Sequence, residues 1–433
     1  MLMKLFEHQV KALDDTKNLN KVAYYLDMGL GKTFVGSEKL RQLDGKINLV
    51  VCQKSKIKDW VEHFQEYYQF SVWDMSNKKG FDDFIIRART ILNGEKFPNL
   101  IGVINYDLIF RRDILLKIPF DTLMLDESSI IQNERAKRSK CVLKMNHKNV
   151  ILLSGTPTAG KYEKLWSQLH LLGWDISKKL YYDQYVEMEW IEDKSSGFRI
   201  PRVAGYKNID RLKYKLSKYG AIFQKSDEVL DLPTQQIIPI KCAVPKEYKK
   251  FMKDEIITIG ERQFIGDTLF SKRMAARMIC GYLNRARIEA FRDLVSSTED
   301  RLIVFYNFNE ELKRLITLAS DMERPFSIVN GDNKDLMSYE EYDNSITFIQ
   351  YQAGAMGLNL QKANKVIYFS LTDRSECFEQ SKKRIHRIGQ DRPCFYYLMM
   401  CPGTVEEDIL HTLEMRKDYT DELFKEYQES YDR

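Results

Sequence analysis

A chain of 433 residues, 44% hydrophobic and 30% charged, has ample core for two or three packed domains, and it carries no low-complexity tract or short-period repeat. Its net charge of +5 is too small for a globally basic nucleic-acid binder, so any such surface must be a local patch. Seven scattered cysteines without a Cys-x-x-Cys pair and six dispersed histidines support neither a zinc site nor a disulfide framework; with no bilayer-length apolar run and no signal-peptide pattern at the start, they point to a reducing cytoplasm.

The first predicted strand, Val22–Leu26, runs straight into Asp27-Met28-Gly29-Leu30-Gly31-Lys32-Thr33. A strand that ends in a Gly-rich turn closing on Lys-Thr is the form of a phosphate-binding loop. Gly29 and Gly31 let backbone N–H groups turn toward phosphate oxygens, Lys32 brings an ammonium to the β/γ-phosphates, and Thr33 offers a hydroxyl to Mg2+. Leu26 departs from the general pattern, which has glycine there. The segment Phe34–Leu40 follows as a helix whose N-terminus adds donors.

Further apolar runs at Ile47–Cys52, Leu100–Ile104, Thr122–Leu125 and Val150–Leu153 alternate with amphipathic stretches such as Ile57–Tyr67 and Phe81–Leu92, which predicts a parallel α/β sheet. The run at Leu123–Leu125 ends in Asp126-Glu127, placing two carboxylates at the carboxyl end of the sheet beside the phosphate loop. Asp126 is suited to hold Mg2+ and Glu127 to polarise an attacking water as general base; taken alone, the pair would read equally well as an acidic turn. Ser154-Gly155-Thr156-Pro157 closes the next strand and suits a hinge that senses the γ-phosphate, although by itself it is a common turn composition.

From Tyr162 to about Tyr219, and again from Lys246 to about Val295, the pattern is helical. Strand–helix alternation resumes with Leu302–Tyr306, Phe326–Val329, Ile346–Gln350, Lys365–Phe369 and Cys394–Met399, and a charged helix over 404–426 closes the chain. The fold class is therefore α/β, with two parallel-sheet lobes and helical insertions: a first lobe over 1–240 with a helical protrusion at about 162–219, and a second over 241–433 with one at about 246–295. In the second lobe Gln380-Ser381-Lys382-Lys383-Arg384-Ile385-His386-Arg387 puts two arginines three apart on one helix face. Guanidinium groups so placed fit an arginine-finger device that neutralises transition-state charge. The basic pairs Arg111-Arg112, Lys137-Arg138 and Arg285/Arg287 read as ordinary surface before they read as a DNA patch.

The order of these motifs, from about Glu7 to about Leu423, resembles that of Swi/Snf-type members of the superfamily-two helicase-like ATPases. Residues 27–33 resemble the family's motif I; Leu49-Val50-Val51-Cys52 with Trp60, motif Ia; Val103-Ile104-Asn105-Tyr106, motif Ib; and Ser154–Pro157 with Leu165-Trp166-Ser167-Gln168-Leu169, motif III and the helix after it. Leu302–Phe305 resembles motif IV, Ala353–Leu360 motif V, and Gln380 through Arg384, Arg387 and Gly389-Gln390 is the sharpest match.

The resemblance implies two RecA-like lobes with ATP and Mg2+ in the cleft between them, and a DNA-dependent ATPase that tracks along duplex DNA and usually leaves the strands paired. It assigns catalysis to Lys32, Glu127, Arg384 and Arg387, nucleotide contacts to Gln9, Gly29, Gly31, Lys32, Thr33, Gly357 and Gln380, and metal contacts to Thr33 and Asp126. It assigns DNA phosphate contacts to Lys54, Ser55, Tyr106, Gln352 and Asn359. The expected partner is duplex or branched DNA, bound by a monomer in the cytoplasm of a bacterial or phage-infected cell.

Departures from the family pattern include Ser129 where a histidine is usual, Asp27 for Glu, Gln352 for Arg or Lys, Ala355 for Gly, and Ser370 for Asp. The changes at Ser129 and in motif V motivate one alternative, a nucleotide-gated DNA-binding adaptor with little turnover; a strand-separating helicase is the other, and the lack of an obvious wedge hairpin in the sequence counts against it.

Overall fold

The computed structural model describes residues 4–192, 199–354 and 358–424. The chain divides into two compact units at Val229/Leu230, and residues from Asp418 onward count with the first.

The first unit is built on strands β1 (Lys21–Leu26), β2 (Ile47–Cys52), β3 (Ser71–Asp74), β4 (Leu100–Asn105), β5 (Phe120–Asp126), β6 (His147–Ser154) and β9 (Ala221–Gln224), with β7 (Val186–Glu192) and β8 (Arg199–Tyr206) forming a separate antiparallel hairpin. The seven strands lie in the order β3-β4-β2-β5-β6-β1-β9, and every pairing is parallel. The central strands are buried on both faces, which is why they read as unbroken apolar runs. Helix Lys32–Leu43 lies so close to the sheet that a Cβ on Gly36 would come within 2.8 Å of Leu153 Cδ1 and 3.1 Å of Met124 Sδ. The fully buried Lys39 threads below it, donating to the Thr16 carbonyl oxygen at 2.6 Å. Residues from Asp418 are tied in by the Tyr162 hydroxyl, which donates to the Tyr419 carbonyl oxygen, and by the ion pair of buried Lys213 with Glu422.

Helix Ile57–Tyr67 buries Ile57, Trp60, His63 and Phe64 along one stripe. His63 sits among the rings of Phe34, Trp60, Phe64, Tyr67 and Tyr68, with Ser37 Oγ 3.0 Å from its Nε2. Burial pushes its imidazole down to about 4, against the smaller pull of Glu66. A histidine depressed in the folded state contributes stability at neutral pH that is lost as the pH falls from 6.5 toward about 4. Thermal melts between pH 7 and pH 4 should therefore show an acid-side fall that is flattened in His63→Gln, and equal slopes for the two proteins would refute this.

The second unit carries β10 (Gln235–Lys241), a hairpin of β11 (Ile256–Ile259) and β12 (Arg262–Ile265), then β13 (Leu302–Tyr306), β14 (Phe326–Val329), β15 (Ile346–Gln350), β16 (Lys365–Tyr368) and β17 (Cys394–Met400). Its six-stranded sheet is also wholly parallel, in the order β10-β17-β16-β13-β15-β14. Helices Leu269–Cys280, Arg285–Ser296 and Asn309–Asp321 pack Ile279, Phe291 and Leu315 into the core on one face. Leu358, Leu360, Phe378 and Ile385 cover the other.

Two parallel α/β sheets are thus present as expected. The segments that read as helical, 162–219 and 246–295, each contain an antiparallel hairpin among their helices. Both hairpins are largely solvent-exposed, so no buried face imprinted a long apolar run on them.

Candidate functional site

Strands β5, β6 and β1 are adjacent and parallel, so the segments that follow them emerge at one edge of the first sheet. Those segments are Asp126-Glu127, Ser154–Pro157 and the loop 27–33. The carboxyl edge of an open parallel sheet is where such folds gather ligand-binding groups.

The loop turns on Gly29 (φ 90°) and Gly31 (φ 73°), both in the left-handed region that favours glycine. Leu26, by contrast, is a buried residue of β1 with no such conformation, so the missing glycine there is not required. Lys32 opens the helix and folds its ammonium back onto the loop, 3.0 Å from the Leu26 carbonyl oxygen and 3.4 Å from that of Asp27. Asp27 anchors the loop: one carboxylate oxygen accepts from the Met28 N–H at 2.8 Å, the other from the Ser226 hydroxyl at 2.7 Å.

Gln9 is buried against the same turn. Its Nε2 donates to the Leu30 carbonyl oxygen at 3.1 Å, its Oε1 accepts from the Phe6 N–H at 3.0 Å, and a Cβ on Gly31 would come within 2.2 Å of Nε2. Gln9, assigned a nucleotide contact from the resemblance, here fastens the phosphate loop.

Asp126 is half-buried at the end of β5, with Oδ2 accepting from the Trp60 indole N–H at 2.9 Å. Burial raises its carboxyl above the usual range, opposed by that hydrogen bond and by the charges of Lys32 and Lys56. Glu127 takes a left-handed backbone (φ 53°, ψ 59°), uncommon for a residue with a side chain, and its Oε2 lies 3.5 Å from the Ser154 hydroxyl. Ser128 and Ser129 are buried in the short turn that follows.

Tyr106 does not fit the DNA contact assigned to it. Its ring is buried, and its hydroxyl donates inward to the Asp126 carbonyl oxygen at 2.8 Å, so it braces the acidic turn instead of meeting a phosphate. Lys54 and Ser55 are exposed on the short turn after β2.

In the second unit, Arg384 and Arg387 do not share a helix face. The helix Ser375–Lys382 stops before them; the run that follows continues as turns, with the Arg384 N–H on the Ser381 carbonyl oxygen at 3.3 Å and the His386 N–H on that of Lys382 at 3.4 Å, and adds links to residues 359–363. The Leu360 N–H donates to the Arg384 carbonyl oxygen at 3.1 Å, Arg387 Nη1 donates to Asn359 Oδ1, and Gln390 Nε2 reaches the carbonyl oxygens of Ala363 (2.8 Å) and Gln361 (3.1 Å). Arg384 and Gln380 are buried, and burial lowers the Arg387 pKa. Arg387 and Asn359, assigned to phosphates of different molecules, are therefore bonded to each other. Gln352 is exposed just beyond β15, and Gly357 lies outside the described residues. Ser370, where an aspartate was the expected residue, donates to the buried Glu311, which also accepts from the N–H groups of Asn307 and Phe308. Arg287, read as possible surface, is fully buried.

Residues 25–287, more than half of the chain, match the model of the SNF2-related domain. The chain belongs to the SNF2-related family. Within this family member, residues 286–389 also match the helicase conserved C-terminal domain.

Among relatives, a SWI/SNF-related matrix-associated actin-dependent regulator of chromatin subfamily A-like protein 1 from Xenopus tropicalis is 24% identical over 88% of this chain and 41% of its own length. A putative ATP-dependent helicase/translocase from Bacillus subtilis is 24% identical over 92% of this chain and 46% of its own. The chain thus spans less than half the length of these relatives. The solved SWI2/SNF2 ATPase core of Sulfolobus solfataricus in complex with dsDNA aligns with 97% of this chain and 92% of that one, at 18% identity and a TM-score of 0.44.

One residue at the site escaped the sequence reading. Gln168, in helix Trp166–Leu171, is wholly buried and hydrogen-bonded to three separate segments of the site. A signal for it was present: Leu165, Gln168, Leu169 and Leu172 form one helical stripe, and a lone amide in an apolar stripe asks for buried partners.

Proposed function

We propose that this chain is an ATP-hydrolysing motor that binds duplex DNA and moves along it, acting on protein–DNA or branched DNA structures. The observation that carries the reading is the arrival of Lys32, Asp126-Glu127 and Ser154–Pro157 at one edge of a single parallel sheet, on three neighbouring strands. A loop of inward-turning N–H groups with a lysine accepts a triphosphate, and a carboxylate beside it activates water.

In this reading Glu127 polarises the water that attacks the γ-phosphorus, while Lys32 leaves the Leu26 and Asp27 carbonyl oxygens for phosphate oxygens. The Asp126 carboxylate and the Thr33 hydroxyl are hard oxygen donors of the kind Mg2+ takes, and a cation there would offset the cost of burying Asp126. When bound, Mg2+ supplies charge neutralisation on the phosphates. Arg384 and Arg387 supply guanidinium charge to the γ-phosphate, with Arg387 giving up Asn359. Lys54, Ser55 and Gln352, all exposed, are the contacts offered to the DNA backbone. Backbone gripping carries little sequence information, so binding is weakly specific and strongly salt-dependent.

A strand-separating activity is the second reading. It is favoured by the β7–β8 hairpin, which projects an exposed Trp190 opposite Pro201.

Steady-state ATP hydrolysis measured without nucleic acid and with single-stranded, duplex and forked DNA and RNA, at low and moderate salt, tests the proposal. Duplex DNA should stimulate turnover most, and more so at low salt. Displacement of a bound third strand without separation of a blunt duplex would support the tracking motor. Robust unwinding would favour the second reading, and no stimulation by any nucleic acid would overturn both.

A further inference from the structure

We propose that Gln168 is a positioning residue for ATP turnover, a single buried amide that fixes the turn carrying Glu127 against the Ser154–Pro157 segment. The inference rests on the ATPase reading above and adds to it the part that links the two segments.

Gln168 Oε1 accepts from the Ser128 hydroxyl at 2.7 Å and from the Tyr25 hydroxyl at 3.0 Å, while Nε2 donates to the Pro157 carbonyl oxygen at 2.9 Å. The amide orientation is set chemically. A carbonyl oxygen only accepts, so Nε2 must face Pro157, and Oε1 is left to two hydroxyls that each donate. Gln168, Ser128 and Tyr25 are all wholly buried, so the arrangement is shielded from bulk solvent.

The three partners belong to three neighbouring strand ends. Tyr25 is in β1, one residue before the last of the strand that feeds the phosphate loop. Ser128 follows Glu127, whose left-handed backbone has to be held by its surroundings. Pro157 closes the segment after β6. A buried, fully satisfied junction of this kind has few alternative arrangements, so a shift of one segment is felt by the others. Ser129 stands where the family pattern has a histidine, and the bonds from Ser128 and to Pro157 run through Gln168 in the helix beyond.

Four variants with two readouts test it. Gln168→Leu keeps the site apolar and largely filled but leaves two hydroxyls and a carbonyl without their partner. It should lower kcat for ATP roughly tenfold, with KM changed less than about threefold, because a small displacement of the general base slows chemistry more than binding. Ser128→Ala should lower kcat less, and the double variant should match Gln168→Leu alone because both act through one junction. Gln168→Glu keeps both hydroxyl donors but sets an ionised oxygen against the Pro157 carbonyl. Its kcat relative to wild type should rise as the pH falls from 8 to 6, since the protonated acid can donate as the amide does. Amide hydrogen exchange on the nucleotide-free proteins supplies the second readout. In Gln168→Leu, residues 127–131 and 155–158 should lose protection together while the rest of the first unit is unchanged.

Wild-type turnover no greater than that of Lys32→Ala would overturn the ATPase reading; exchange would then decide whether the junction holds the two segments. Lys32-dependent turnover with kcat of Gln168→Leu within twofold of wild type, or unchanged exchange in both segments, would overturn the positioning role. Should Gln168→Leu fail to fold, the pH dependence of Gln168→Glu decides in the same way.

Discussion

Replacing Lys32 by alanine is expected to lower ATP turnover by about two to three orders of magnitude while the chain stays folded. The two halves of this expectation come from different observations. The ammonium lies at the start of the helix after the phosphate loop; the strand before that loop pairs with the one that delivers Ser154–Pro157, and that strand pairs in turn with the one that delivers Asp126-Glu127. A bound triphosphate would meet its charge there, and no neighbouring side chain on the loop supplies a second cation. The stability cost is small because Lys32 donates to two loop carbonyl oxygens in a half-buried setting, worth about 1 kcal/mol between them once water can replace the ammonium. Gly29, Gly31, Gln9 and Asp27 hold the loop without it. Phosphate release with duplex DNA present, set beside a thermal melt, checks both halves. Duplex-stimulated turnover within tenfold of wild type would remove Lys32 from the chemistry. A collapsed melting temperature would show that the ammonium is structural.

How much of this was legible in the sequence depended on burial. The central strands are covered on both faces, so Ile47–Cys52 and Leu302–Tyr306 are unbroken apolar runs and could be read directly. Strands β3, β9 and β10 are sheet edges with half-covered or exposed positions, and their mixed composition hid them. In β10 the proline at 239 discourages a strand reading, yet it is tolerated because the strand is at an edge. The hairpin carrying Trp190 did leave a trace, the period-two alternation Val186-Glu187-Met188-Glu189-Trp190, which the surrounding aromatics and lysines masked.

The candidate site divides in the same way. Local chemistry was readable: the Gly-rich loop, Lys32 and the Asp126-Glu127 pair are where the motif places them. Long-range partnerships were not. Nothing in the spacing shows that Tyr106 turns inward to Asp126, that Gln9 fastens Leu30, or that Arg387 bonds to Asn359. The arginine spacing suggested a continuous helix because a three-residue interval fits one. The helix instead ends at Lys382 and passes into turns that also bond to residues 359–363.

The second large effect is expected at a buried ion pair in the second unit. Arg287 is wholly enclosed and Glu406 nearly so; Arg287 Nη2 donates to Glu406 Oε2, and Nη1 to the Phe369 carbonyl oxygen at 2.7 Å. Burial works against the guanidinium charge, but Glu406 and nearby thiols outweigh it and hold the Arg287 pKa above its usual value. Glu406 Oε2 also accepts from the Cys401 N–H at 2.8 Å, so this one oxygen takes both bonds. Cys280, Cys401 and Glu406 offer ligand atoms within 4.8 Å of one another, yet the guanidinium already supplies the positive charge that a metal ion would bring. Removing one partner strands the other charge in the core. Glu406→Ala should therefore destabilise the unit by about 3–5 kcal/mol, whereas a volume-matched apolar pair at both positions should cost much less than the sum of the single changes. Denaturant titration of Glu406→Ala, Arg287→Met and the paired Arg287→Met/Glu406→Leu variant measures the cycle. Strictly additive losses would show that the two residues stabilise the core separately, through Phe369 and Cys401, and that their mutual charge contributes nothing.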